Sequence, residues 1–452
     1  MSLPEFRILS PTAILGYGFP EASFCKGIER QPHLIGVDAG STDPGPYYLG
    51  SGKSFTDRVA VKRDLRYILK AGIRNSIPVI IGTAGGAGAA PHLQWCREIV
   101  DEIAAEEQLS FTLGLISADI DKGIVHSALE NGSVQSPKYV PELTRSDIDA
   151  SVHIVAQMGN EPLMQALEKN CDVILAGRCY DPAVFAALPI QKGYDPGLAT
   201  HLGKILECAA IAATPGSGAD CVLGILKKDS FILEALSKQR KFTAASTAAH
   251  TLYEKSDPCH LPGPGGELNL EDCTFTEVAD RKVEVRGSRF EPADTYYVKL
   301  EGARPIGFRS ISIAGVRDPI MIAAIDSILD EVKSDADAIL KTEKIDAQVG
   351  FHVYGKNGVM GKMEPGRDFI PQELALITEV IGKTEQDAET VCSLVRSTLL
   401  HYGYKGRIAT AGNLAFPFSP SDMRMGEAFE FSIYHLMELD DQNIFKIEII
   451  TY

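Results

Sequence analysis

Residues 78–106 read PVIIGTAGGAGAAPHLQWCREIVDEIAAE. The apolar run Pro78–Ile81 predicts a strand, and the glycine-rich segment after it predicts a loop. The apolar residues of Leu93–Glu106 have the spacing of a helix. The same order of strand, loop and helix recurs through the first half of the chain, which predicts an α/β fold with helices layered on a mostly parallel sheet. The other elements predicted there are the strands Arg7–Leu15, His33–Val37, Phe111–Ile116 and Val173–Ala176 and the helices Asp57–Ala71, Ile148–Met158 and Leu163–Asn170.

The second half of the chain is richer in strands. The predicted strands are Lys282–Val285, Tyr296–Leu300, Phe308–Ala314, Val349–Tyr354 and Phe445–Ile450, and the predicted helices are Ile320–Lys333, Glu373–Ile381 and Glu385–His401. Thr384 stands at the N-cap of the last helix, with Asp387 three residues on. Strands gathered around few helices predict an α+β domain. We therefore expect an α/β domain over residues 1–240 and an α+β domain over residues 241–452.

The composition limits the classes of function. The 452 residues include 44 Lys and Arg against 60 Asp and Glu, a formal net charge of −16. An acidic surface repels phosphate backbones and anionic lipid headgroups, which disfavours nucleic-acid and membrane partners. No apolar stretch approaches the roughly 18 residues that a membrane helix needs. Nine cysteines without a CxxC pair predict reduced thiols in a cytoplasmic protein.

Four stretches carry no Asp, Glu, Lys or Arg, although the chain as a whole is highly charged. They are Asn75–Cys96, Cys208–Ala219, Phe242–Tyr253 and Ile408–Ser421. Small residues fill them, and small residues let backbone approach backbone or ligand closely. We expect the stretches to line a shared, water-poor cleft; the alternative is tight turns and contacts between helices and sheet.

The loop after the second predicted strand carries two carboxylates and two hydroxyls. Asp38 and Asp43 are candidates for general acid–base catalysis, and Ser41 and Thr42 for hydrogen bonds to substrate. The alternative is a set of Asx and hydroxyl turns ahead of prolines.

The glycine loop within residues 78–106 lies between the end of a strand and the start of a helix. Backbone amides of Gly85, Gly86 and Gly88 would attract a phosphate or carboxylate there. The loop is not a Walker A motif, and Pro91 occupies the place of the third glycine of a dinucleotide fingerprint. Structural packing is the alternative role.

Two further positions are candidates for anion binding. Arg178 and Asp181 follow the strand Val173–Ala176, where Arg178 would hold a carboxylate that Asp181 orients. The alternative is that Arg178 and Asp181 form an ion pair that only stabilises the loop. Lys356 also lies in a position to reach an anion.

His250 is a candidate catalytic imidazole inside an uncharged stretch, and His201 and Lys204, beside Glu207, are weaker candidates. The four residues His250, Glu254, Asp257 and His260 superficially resemble a metal-binding set. Pro258 ends any helix before the last of them, so we predict no metal site.

Several ordered motifs resemble the acyclic terpene utilisation (AtuA-like) family. They read IGVDAGSTDPGP, IIGTAGGAGAAPHLQW, AGRCYDPAVFAALP, GKILECAAIAATPGSGADC, STAAHTLYEKSDP and GPGGELNL, and continue through YGKNGVMG and TAGNLAFPFSP. The resemblance implies a role in bacterial catabolism of carboxylic acids, since the family's namesakes belong to pathways that degrade citronellol- and geraniol-type acids beside acyl-CoA enzymes. The positions that match its motifs are Asp38, Ser41, Thr42, Asp43, Gly85, Gly86, Arg178, Asp181 and His250.

Two functions follow as hypotheses. The first is an enzyme that acts on a small carboxylic acid or its acyl derivative, with Asp38 or Asp43 as acid or base and His250 as partner. Because no convincing dinucleotide or metal motif is present and the cofactor is unknown, lyase, isomerase or hydrolase chemistry is favoured over oxidoreductase chemistry, and the sequence does not separate these three. Its ligand would be a carboxylate or acyl-CoA, and the chain would form a homo-oligomer. The second hypothesis is a non-catalytic subunit that binds substrate for a partner enzyme.

Overall fold

Contacts within the chain divide it into two units. The first unit comprises Met1–Arg304 and Phe431–Tyr452, and the second unit comprises Pro305–Glu430. The structure is a computed structural model, and it describes residues 5–253, 255–366, 369–440 and 444–452. The expected domain boundary after residue 240 lies inside the first unit and stays a prediction.

Nineteen strands and thirteen helices lie in the described ranges. The strands are β1 (Phe6–Ser10), β2 (Leu34–Asp38), β3 (Val79–Gly82), β4 (Thr112–Ile116), β5 (Val134–Gln135), β6 (His153–Ala156), β7 (Val173–Ala176), β8 (Val222–Leu226), β9 (Phe231–Ala235), β10 (His260–Gly263), β11 (Gly266–Asn269), β12 (Thr274–Ala279), β13 (Lys282–Arg286), β14 (Arg289–Pro292), β15 (Tyr297–Val316), β16 (Ala347–Tyr354), β17 (Leu374–Gly382), β18 (Asp422–Glu438) and β19 (Ile447–Thr451). The helices are α1 (Glu21–Glu29), α2 (Pro46–Ser51), α3 (Arg58–Arg74), α4 (Ala90–Glu107), α5 (Lys122–Glu130), α6 (Arg145–Ala150), α7 (Asn160–Glu168), α8 (Ala183–Gln191), α9 (Pro196–Leu206), α10 (Ala244–Leu252), α11 (Pro319–Ala323), α12 (Ile325–Glu343) and α13 (Glu385–His401).

A ten-stranded mixed sheet forms the centre of the first unit. Its order is β12-β13-β9-β8-β1-β2-β3-β7-β4-β19. The five strands from β1 to β4 in that order are parallel neighbours, and the strands on either side of them are antiparallel. The expected α/β fold is confirmed.

Apolar strands build a core on both faces of this sheet. Every residue of β2 and β3 is buried, as expected for parallel strands covered by helices on both sides. Ile80 belongs to the hydrophobic cluster on one face and Ile81 to the cluster on the other, because successive side chains of a strand point to opposite faces. The polar ends of these strands are thereby held in fixed positions.

The second unit contains an antiparallel sheet. Strand β17 pairs with β16 on one side and with β15 on the other. Helices α12 and α13 share a hydrophobic cluster with these strands. Helix α13 spans the predicted residues, and its N-cap Thr384 accepts a hydrogen bond from the Asp387 amide. The α+β prediction for this part of the chain is confirmed.

Two predicted helices are wrong. The predicted helix Glu373–Ile381 falls almost entirely in β17 (Leu374–Gly382), in which alternate residues are buried and both edges are paired. Residues 148–158 were expected to be one helix, but α6 ends at Ala150 and His153–Ala156 forms β6, which pairs with β15. In both places pairing with distant strands outweighs local helical spacing.

Candidate functional site

Three loops meet where the central parallel strands end. Asp38 is the last residue of β2 and lies opposite Gly82, the last residue of β3. The amide of Thr83 donates to the carbonyl of Gly177, which follows β7. Ligands of open α/β sheets bind at this edge, outside the carboxyl ends of the strands.

Glycines let these loops pack backbone against backbone. A Cβ atom on Gly40 would lie 2.1 Å from the carbonyl oxygen of Gly86, and one on Gly88 would lie 2.2 Å from the Arg178 nitrogen. Gly85, Gly86 and Gly88 also have positive φ angles of 72°, 109° and 70°. These glycines have a structural role, and anion binding by their amides stays a prediction.

A carboxylate of the protein itself lies at the start of α4. The amide of Ala90 donates to Asp119, and burial raises the pKa of Asp119 to about 6. Sequence reasoning missed Asp119, which follows β4 at the same edge of the sheet.

Arg178 organises the site through four hydrogen bonds. Its Nε donates to Glu301 Oε2 at 2.7 Å, and its Nη1 donates to Asp181 Oδ1 at 3.1 Å, to the Cys179 carbonyl at 2.9 Å and to Thr83 Oγ1 at 3.4 Å. The pairing of Arg178 with Asp181 is therefore present. Among the described residues, none accepts a hydrogen bond from Nη2.

Glu301, on β15, is the residue that sequence reasoning missed most clearly. Its side chain is 0% exposed. It accepts hydrogen bonds from Thr42 Oγ1 at 2.9 Å and Arg178 Nε at 2.7 Å, and Lys299 Nζ lies 2.7 Å away. Burial works against its charge, but Arg178 and Lys299 outweigh burial and hold the pKa of Glu301 at about 2.

Asp38 shows the opposite behaviour. It is buried, and its carboxyl accepts one hydrogen bond, from the Gly40 amide at 3.2 Å. Burial raises the pKa of Asp38 well above its usual value, and the negative charges of Asp181 and Glu207 raise it further. Its surroundings therefore favour the protonated form of the Asp38 carboxyl over the charged form.

A second buried ion pair completes the arrangement. Lys204 Nζ lies 2.6 Å from Glu207 Oε1 at the end of α9. We call the following seven residues the charged cluster: Asp38, Asp181, Glu207, Glu301, Arg178, Lys204 and Lys299. The cluster contains four carboxyl groups and three cations. Asp181, whose side chain is 25% exposed, offers access from outside.

The remaining predicted residues of the first unit lie in different surroundings. Asp43 is exposed, and its amide donates to Ser41 Oγ at 3.2 Å, which is the hydroxyl turn considered above. His250 is buried on α10, with its ring centre 5.4 Å from that of Tyr253. Burial chiefly, with the nearby charges of Lys204 and His250, lowers the pKa of His201 to about 3.

The two other expectations concern Lys356 and a metal. Lys356 belongs to the second unit, where its Nζ lies 2.5 Å from Asp326 Oδ2. Of the four residues with superficial metal-binding spacing, Glu254 lies outside the described residues. Within the described ranges, no group of three or more His, Cys, Asp or Glu side chains is placed to hold a metal ion.

A large depression lies elsewhere on the first unit. It has a volume of about 1190 Å³, and Arg7, His33 and Pro78 contribute to its lining. These residues stand at the amino-terminal ends of β1, β2 and β3, at the sheet edge opposite Asp38. Asp38, Asp119 and Glu301, three carboxyl groups with shifted pKa values, lie at the other edge, so we place the candidate site there.

Comparison with known proteins identifies the family. The family model for the acyclic terpene utilisation family protein AtuA matches residues 56–416. The chain belongs to the acyclic terpene utilisation family. Neither the comparison with curated proteins nor that with solved structures found a match.

The AtuA match covers most of the charged cluster. Arg178, Asp181, Lys204 and Glu301 all lie inside the matched residues, whereas Asp38 lies before them. Within the described part of this AtuA-family chain, no helix has both the length and the apolar character required to cross a membrane.

Proposed function

We propose that this protein is a catabolic enzyme that acts on a small carboxylic acid or its acyl derivative by acid–base chemistry, as a lyase, hydratase or isomerase. The observation that carries the proposal is the buried carboxyl of Asp38 within the charged cluster, where burial raises its pKa. Catalytic acids in enzymes are commonly carboxyls whose pKa is raised by burial and by neighbouring negative charge.

Each group has a distinct role in this reaction. Asp38 donates its proton through Oδ2, which has no hydrogen-bond partner among the described residues. Nη2 of Arg178 binds the substrate carboxylate or carbonyl oxygen, where negative charge develops. Thr83 and Glu301 are positioning residues, since they fix the Arg178 guanidinium. Asp181 and His250 are the candidates for the base that removes a substrate proton.

The proposal is tested by proton exchange with solvent. The protein is incubated in D2O with panels of hydroxy, unsaturated and branched carboxylates and their acyl-CoA thioesters, and proton NMR follows substrate C–H signals and new products. We expect exchange or turnover with at least one panel, and a loss of roughly 100-fold or more in Asp38→Asn. Asp149→Asn, an exposed carboxyl bonded to His126 at 2.9 Å, is the matched control and keeps full activity.

Two results would contradict the proposal. The first is a ligand that raises the melting temperature without exchange or turnover, which supports the non-catalytic binding subunit. The second is Asp43→Asn, and not Asp38→Asn, abolishing activity.

A stability measurement separates a catalytic Asp38 from a structural one. Because folding raises the pKa of Asp38, the native state keeps a proton that the unfolded chain releases above about pH 4. The free energy of unfolding of the wild type therefore falls as pH rises from about 4 towards the folded-state pKa of Asp38. Asparagine does not titrate, so the Asp38→Asn variant lacks this loss of stability. We expect Asp38→Asn to melt at the wild-type temperature or above it at pH 8; a lower melting temperature would indicate a structural role.

A further inference from the structure

Strand β16 forms an open edge of the sheet in the second unit. It pairs with β17 along eight residues, from Ala347 opposite Gly382 to Tyr354 opposite Ala375, without a shift of register. The carbonyl of Val353 accepts from the turn that follows. Apart from that carbonyl, no backbone group of β16 bonds to anything but β17 within the described residues. Its outer side presents a row of unused donors and acceptors.

Other strands at the margins of the sheets carry the features that normally prevent pairing with a further chain. These features are charge, proline, a bulge or short length. Strand β12 contains Glu277 and a register shift beside it, β19 has five residues with Glu448 among them, β10 contains Pro262, β14 contains Pro292, and β5 has two residues. Strand β16 reads AQVGFHVY, with no charge and no proline. It lacks the protection that the other strands have.

We propose that two copies of this chain pair through the outer edges of β16, antiparallel about a two-fold axis. Each copy carries a formal net charge of −16, so copies repel one another over most of their surfaces. An uncharged strand paired with itself places no like charges opposite each other. A two-fold contact uses the same surface on both copies, which one open edge provides.

The two ends of β16 differ in shape, and an antiparallel pair would bring them together. The turn beyond its carboxyl end exposes Val359 at 84% and Met360 at 49%. A depression of about 560 Å³ lies at its amino end. Its lining includes the apolar residues Ala347, Phe308 and Ile381, and also the charged residues Asp346, Lys383, Glu427 and Glu430. Antiparallel pairing brings the carboxyl end of one strand beside the amino end of the other. The exposed apolar turn of one copy thus faces the depression of its partner.

The first test is the mass of the protein in solution. We expect the wild-type chain to have twice its monomer mass by light scattering at about 10–100 µM. At these concentrations a dimer with a dissociation constant of about 1 µM or lower is mostly associated. Gly350 lies mid-strand, and a Cβ there meets nothing closer than Glu379 Oε2 at 3.8 Å, so Gly350→Lys fits the monomer. Lysines near the two-fold axis repel each other, and we expect this variant to be monomeric.

The control is Ala375→Lys, which adds the same charge to the exposed face of the interior strand β17 and leaves the dimer intact. Circular dichroism checks that both variants fold. A monomeric wild-type chain would overturn the proposal. So would a Gly350→Lys dimer as stable as that of Ala375→Lys.

Disulfide trapping tests the strand edge without disturbing it. Cysteine is placed singly at Gln348, Gly350 and His352 and oxidised mildly, with wild-type protein as the baseline for native thiols. Residues opposite each other in antiparallel strands have Cβ atoms about 5 Å apart, close enough for a disulfide. We expect a crosslinked dimer from at least one position and none from Ala375→Cys. Crosslinking of Ala375→Cys alone would place the contact elsewhere and refute the assignment.

Discussion

Replacing Glu301 by glutamine tests the charged cluster most directly. Folding lowers the pKa of Glu301 from 4.5 to about 2, and one pH unit of difference corresponds to about 1.4 kcal/mol, so the charge contributes roughly 3 kcal/mol at neutral pH. Removing one partner of a buried ion pair costs about 3–5 kcal/mol in other proteins, which is consistent. We therefore expect Glu301→Gln to lower the free energy of unfolding by about 3 kcal/mol at pH 7.

The dependence on pH has a definite sign. A carboxylate with a lowered folded-state pKa stabilises the protein above its unfolded pKa, and this contribution is lost as pH falls from 4.5 towards 2. The difference in the free energy of unfolding between wild type and Glu301→Gln should therefore become smaller below pH 4.5. This difference is measured by urea unfolding, followed by the fluorescence of Trp95. Trp95 is the only tryptophan in the sequence and packs against the core of the first unit.

Glu102→Gln is the matched control. Arg58 and Lys62 lie 2.7 Å from the Glu102 carboxylate and hold its pKa at about 2 as well, but its side chain is 42% exposed. Because water screens an exposed pair, we expect a much smaller loss of stability. Equal losses in the two variants, or a gap for Glu301→Gln that does not change with pH, would refute the reasoning.

Two further predictions concern Gly88 and His92. Gly88→Ala places a Cβ 2.2 Å from the Arg178 nitrogen at a φ of +70°, so we expect urea unfolding to show a loss above about 2 kcal/mol; Gly45→Ala, also at positive φ but with nothing within 4 Å, should lose less. Burial lowers the pKa of His92 from 6.5 to about 4, so native stability should fall as pH drops through that window, by up to about 3 kcal/mol. His92→Gln should flatten this part of the stability profile measured by urea unfolding, and an unchanged profile would contradict the assignment.

The sequence predicts the parallel layer and the position of the site because both depend on local signals. An apolar run followed by glycines marks the end of a strand, and parallel strands end at one edge. Asp38, Arg178 and Asp181 each follow such a run, and the structure brings them together. Helix α13 was predictable for a similar reason, since its N-cap lies within one turn of the helix.

Glu301 was not predictable because its partners are remote in sequence. Arg178 precedes it by 123 residues and Thr42 by 259, and no local pattern connects them. The sequence does not reveal burial either. Asp38 ends β2 and Asp43 lies five residues further on, yet the first is buried and the second is exposed. Strand β17 was missed for the same reason, because its partners on both sides are set by the tertiary fold.

The close approach of Gly40 to Gly86, and of Gly88 to Arg178, has a consequence for engineering and for divergence. The backbones of the three loops pack closely against one another, so a new sequence in one loop must fit the backbone of the other two. Exchanging a single loop between relatives should therefore yield insoluble or inactive chimaeras, whereas transplanting all three together should succeed. Sequence variation is more easily accommodated at the side chains that border these three loops than within the loops themselves.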